Sequence, residues 1–162
     1  MGKRMVLIAC ASLFLLGVSD LNAQARFGGQ LSFGDSQDVG LGARLMLGVE
    51  SLKRVEFNGS FDYFFPDEPV GGDRDYWELN GNLAYFFDVG SATSLAPYAG
   101  GGLNIAHGSR TFSDGRDTSD TDLGLNLLGG TRFGSGPVIP FAELRVEVSG
   151  GEQFLITGGV IF

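Results

Sequence analysis

His107 and Ser109, in the stretch AHGSR, are the residues of this chain whose types and spacing suggest covalent chemistry. A histidine can take the proton of a serine hydroxyl and make it a nucleophile, provided a carboxylate orients the imidazole; Asp122 and Glu78 are the acids that could serve. The plainer reading is a histidine at the entry to a loop. A second group, Asp114, Asp117, Asp120 and Asp122 in SDGRDTSDTD, offers oxygen ligands of the kind that hold calcium. Their spacing departs from the helix–loop–helix calcium pattern, so a solvated loop is the better reading, for these as for Asp67, Glu68, Asp73, Arg74 and Asp75. No metal and no cofactor is expected. A third group sets Arg44, Arg132 and Arg145 against Glu56, Asp62, Glu78, Glu143 and Glu147. What these charges do depends on the elements that carry them.

Those elements are strands. In FAELRVEV, residues 141–148, Glu143, Arg145 and Glu147 alternate with Ala142, Leu144, Val146 and Val148, so a pleated strand sends the charges to one face and the apolar residues to the other. The same period of two recurs in eight segments, at 26–34, 39–49, 55–64, 76–87, 95–106, 121–133, 138–148 and 154–162. No stretch reads as an amphipathic helix of useful length. Strands of about nine to thirteen residues match what a tilted strand needs to cross a bilayer.

The first 25 residues read differently. Lys3 and Arg4 precede an apolar run from Val6 to Val18, and Ala23-Gln24-Ala25 supplies small residues at the expected cut. That is the plan of a secretory signal peptide, with cleavage after Ala25 and one domain over residues 26–162. The only cysteine, Cys10, falls inside the signal, so disulfides and thiol catalysis are excluded from the remainder. The whole chain carries −8, and removing Lys3, Arg4 and Asp20 leaves −9, which argues against nucleic acid as a partner.

Connection lengths predict the topology. The longer connections, 65–75 and 107–120, both fall on the same side of an up-and-down arrangement, opposite the short ones at 50–54, 88–94 and 134–137. A transmembrane barrel shows that parity, with long loops outside the cell and both chain ends on the inner side. Aromatics gather near the strand ends: Phe33, Tyr63, Phe64, Phe65, Tyr76, Trp77 and Phe154 at one rim, and Phe27, Tyr85, Phe86, Phe87, Phe133 and Phe162 at the other. Two such belts are expected where rings meet the two bilayer interfaces. The charged parity, rich in glycine, is then a crowded lumen in which Arg44, Glu56, Asp62, Glu78, Arg132, Glu143, Arg145 and Glu147 pair, while the apolar parity meets lipid.

With APYAGGGLNIA at 96–106, TDLGLNLLGGTRF, PVIPFAELRVEV and the closing TGGVIF, the chain resembles the small eight-stranded outer-membrane β-barrel proteins related to OmpA and OmpX, the porin-family barrels. The resemblance covers residues 26–162 and implies an all-β, eight-stranded antiparallel up-and-down transmembrane barrel in the bacterial outer membrane. It also implies that Ile156, Gly158, Val160 and Phe162 form the signal read by the barrel-assembly machinery, and that outer-membrane lipid and lipopolysaccharide are neighbours. Separately, the His107–Ser109 pair is similar to that of the outer-membrane lipid A deacylases. The expectation is a non-enzymatic structural or surface-interaction barrel, too narrow for a wide pore, with an extracellular ligand possible through 65–75 and 107–120. A lipid A-modifying enzyme, a narrow ion pore and a soluble barrel are the alternatives. No tethering domain is expected after Phe162.

Overall fold

The computed structural model describes residues 25–35, 38–48, 52–65, 72–90, 94–148 and 152–162. The signal-peptide expectation lies almost wholly outside them. Eight strands follow one another: β1 (Ala25–Gly34), β2 (Asp38–Gly48), β3 (Val55–Phe65), β4 (Gly72–Phe86), β5 (Leu95–Phe112), β6 (Asp117–Phe133), β7 (Ile139–Val148) and β8 (Gln153–Ile161). Each pairs antiparallel with the next, and β8 pairs with β1, so the sheet closes into a barrel without a free edge around the ring.

The alternation seen in sequence sorts the side chains. Even positions of β1 to β6 and odd positions of β7 and β8 point inward. The outer face is apolar and bare: Leu123 is 65% exposed, Leu127 62% and Leu41 57%. On that face Phe57 lies across the glycine pair Gly59 and Gly81, covering backbone that no side chain of their own protects.

The predicted 107–120 loop is mostly strand. β4, β5 and β6 run 15, 18 and 17 residues, past the ends of their neighbours, and form a three-stranded tongue beyond the rim. Asp75 faces Ser109 and Ser109 faces Ser119, well beyond the last β6–β7 pair, Leu125 with Val148. The turn at its tip is short: Phe112 N donates to Arg116 O at 2.8 Å and Gly115 N to Phe112 O at 3.0 Å, with Gly115 at φ 83°, a left-handed position suited to glycine. Likewise residues 72–75 of the other predicted long loop belong to β4.

Candidate functional site

The inward parity of three strands brings Arg44 (β2), Glu143 and Arg145 (β7), and Glu78 (β4) into the lumen, all buried. Arg44 forks onto Glu143, Nη1 to Oε2 at 2.9 Å and Nη2 to Oε1 at 2.7 Å, with Cζ 4.4 Å from the centre of the Phe141 ring. Tyr98 donates its hydroxyl to the same carboxylate at 2.8 Å. Toward the tongue end, Arg145 faces three carboxylates: Glu78 at 3.0 Å, Glu147 at 3.0 Å and Asp62 at 3.7 Å. Gln153 donates from Nε2 to both Glu78 and Glu147.

Gln30 joins the two halves. Its Nε2 donates to Asp62 at 2.6 Å, and its Oε1 accepts from Arg44 Nε at 2.6 Å. Ser32 and Ser60 also donate to Asp62, each at 3.2 Å. Nearer the chain ends Arg132 forks onto Glu56 at 3.1 and 2.6 Å and lies 4.4 Å from the centre of the Phe86 ring. All eight charges expected in the lumen are therefore on its inner face, each within an ion pair. Such buried ions persist because each is paired and hydrogen-bonded.

Sequence reasoning left Gln30, Tyr98 and Gln153 out of this network. Gln30 and Tyr98 sit on the inward parity of predicted strands and were open to inclusion by that rule, whereas Gln153 precedes the predicted last strand at 154–162 and is the first residue of β8. The opposite wall carries buried carboxamides on consecutive strands, with Asn126 Nδ2 donating to Asn80 at 2.8 Å and Asn82 at 2.9 Å.

The inner glycines are spaces taken by larger neighbours. A Cβ at Gly130 would fall 2.7 Å from the Tyr98 ring, one at Gly159 2.7 Å from Phe141, and one at Gly40 2.8 Å from Phe64. Apolar clusters stand at both ends of the polar layer. Phe64, Tyr76, Ala106 and Leu155 close the tongue end; Met46, Ile139, Phe141 and Ile161, with Ala84, Tyr98, Leu128 and Phe86, close the other. Phe64, Tyr76 and Phe86 thus correct the expected belts: they occupy inward positions and face no lipid.

Phe27, Tyr63, Trp77, Phe87, Phe133 and Phe162 occupy the outer side, as do Ile156, Gly158 and Val160 of β8. Phe162 N donates to Phe27 O at 2.7 Å, so the last residue is stitched to the first strand.

His107 and Ser109 share the outer face of β5. His107 stacks on Trp77, centroids 5.2 Å apart, and its Nδ1 bonds Thr121 Oγ1 at 2.7 Å. The group orienting the imidazole is a hydroxyl. Asp122 and Glu78 lie on the inward parity, on the other side of the sheet from His107. Asp114 pairs with Arg116 at 2.7 Å. Among the described residues no group of His, Cys, Asp and Glu is placed to hold a metal ion.

An all-antiparallel closed barrel of eight strands, apolar outside and charged within, is the architecture of the small outer-membrane barrels. The sequence matches no family model and no curated protein. Among solved structures, the N-terminal β-barrel domain of Pseudomonas aeruginosa OprF is similar with TM-score 0.68 at 15% identity, over 86% of this chain and 98% of that one. Neisserial surface protein A gives 0.63 at 18% identity over 85% and 94%, and Ail, the attachment invasion locus protein of Yersinia pestis, 0.58 at 15% over 85% and 91%. At these identities the likeness is one of fold.

Proposed function

We propose that this chain is an outer-membrane β-barrel protein of structural or surface-interaction type, exported by its first 25 residues and inserted by the barrel-assembly machinery. The observation that carries the reading is the outer face. Leu31, Leu41, Leu83, Leu103, Leu125, Leu127, Leu144 and Ile156 are all exposed on it, around the whole barrel. A continuous apolar belt of that kind is far larger than soluble proteins leave in water, and lipid is the solvent that suits it. Lipopolysaccharide and lipid are then its surroundings, and the tongue carries any contact with an extracellular ligand.

Two observations favour a closed, non-enzymatic barrel over the alternatives. Apolar clusters stand at both ends of the lumen, and the inner glycines are filled by Tyr98, Phe141 and Phe64, which leaves little for a pore. His107 is oriented by Thr121 where hydrolysis needs a carboxylate.

The test is gel mobility of the protein from isolated outer membranes, boiled and unboiled, beside the soluble periplasmic fraction. A heat-dependent shift confined to the membrane fraction is expected. Soluble protein without a shift would replace this reading by a water-soluble barrel.

A further inference from the structure

The inner face of the tongue sets two like charges side by side. Arg74 of β4 and Arg110 of β5 are direct register partners, both exposed, on the parity that faces the barrel axis. Cross-strand neighbours of the same sign repel, so this pairing costs stability unless something negative lies between them. A third cation joins from the turn: Arg110 and Arg116 approach the same Phe112 ring, with Cζ at 5.2 and 5.5 Å from its centre. The face of that ring attracts both guanidiniums, and Arg116 also donates from Nε to Asp114 at 2.7 Å.

The surroundings add room and hydroxyls. Thr118 stands opposite Arg110, and one step toward the barrel Gly108 separates Tyr76 from Asp120, leaving a notch where a side chain would meet only Tyr76, at 3.5 Å. Three acids are near: Asp114 in the turn holds Arg116, Asp120 accepts from Thr121 N at 3.0 Å, and Asp122 lies one step nearer the barrel, opposite Ala106. The floor is the apolar cluster of Phe64, Tyr76, Ala106 and Leu155, which separates the arginines from the carboxylates around Arg145.

We propose that Arg74, Arg110 and Arg116 form an anion site on the tongue, suited to a molecule bearing clustered phosphate or sulfate esters. Guanidinium forks match the paired oxygens of such groups, and clustered esters can engage the Arg74–Arg110 pair and Arg116 at once. The site deepens the surface-interaction reading and rests on it only for the side of the membrane that the tongue faces.

The test uses the full barrel in phosphatidylcholine nanodiscs, titrated calorimetrically with myo-inositol hexakisphosphate. Saturable binding is expected. The Arg74→Gln/Arg110→Gln double variant should weaken it at least about tenfold, and Arg74→Lys/Arg110→Lys by less, because the charge stays and the fork is lost. Arg26→Gln/Lys53→Gln, at the opposite end, should change it less than twofold. A second arm adds diphosphorylated lipid A to the discs. Displacement of the hexakisphosphate identifies a lipid headgroup as the source of the esters, and unchanged affinity identifies a soluble polyanion. Absence of binding in both arms, or a glutamine variant that binds as the parent does, overturns the site. Heat-dependent mobility of each variant reports folding separately. If the parent protein lacks that shift, the outer-membrane reading fails and the anion site is judged on the calorimetry alone.

Discussion

Arg44 and Glu143 meet in a two-pronged ion pair at 2.9 and 2.7 Å inside the lumen, 99 residues apart in sequence. The pair ties β2 to β7, strands that share no backbone ladder, so it acts across the barrel and not along it.

Removing one partner should therefore cost far more than removing both. Arg44→Met leaves Glu143 buried with only Tyr98 to answer it, a loss of about 3–5 kcal/mol. Arg44→Met with Glu143→Leu should cost much less than the two single changes combined. Urea unfolding in phospholipid vesicles, read as a double-mutant cycle, measures the difference.

Gly130 and Gly29 should respond unequally to the same added methyl. At Gly130 the new Cβ strikes Tyr98 at 2.7 Å and the Ala142 carbonyl at 2.5 Å, so alanine should destabilise by about 1–3 kcal/mol. At Gly29, on the outer face, nothing lies within 4 Å, and alanine should change stability by less than about 0.5 kcal/mol. Equal effects at the two positions would mean that the lumen yields around Tyr98.

An arginine on the outer face of β6 should be penalised by depth. Leu127 stands midway between Thr121, level with the His107–Trp77 stack, and the rim residue Phe133. Leu127→Arg should cost about 2–4 kcal/mol in a bilayer and Thr121→Arg about 0–1 kcal/mol. Unfolding from vesicles gives both values, and a flat profile would remove the membrane from the explanation.

His107→Ala and Ser109→Ala should leave the acyl-chain count of lipid A unchanged. Mass spectrometry of lipid A from cells expressing each variant and the parent makes the comparison. Fewer acyl chains with the parent than with either variant would restore the enzymatic alternative.

Most of the barrel was legible because one rule, period two, governs both faces and extends through all eight strands. It placed Arg145 and Glu78 in one lumen although 67 residues separate them. What it could not do was assign partners, since every inward charge on eight strands is a candidate for every other. Two errors had a physical source. Residues 107–120 are rich in Gly, Ser and Asp, types depleted in strands, and their extension depends on being flanked by β4 and β6, a tertiary circumstance. Phe64, Tyr76 and Phe86 were placed by nearness to strand ends, when their parity already sent them inward to fill the space that neighbours such as Gly40 leave open.

The seam between β1 and β8 makes the barrel a closed loop of registers. Adding one residue to a strand within the ring either forces a local bulge or shifts its pairing with both neighbours, and a shift must be reconciled all the way round to the Gly28–Ile161 seam. The tongue is exempt, because beyond Leu125 and Tyr76 its strands answer only to each other. The turn from Ser113 to Arg116 is consequently the place where this molecule can accept foreign sequence, an epitope or a binding peptide, while the cylinder beneath keeps its shape.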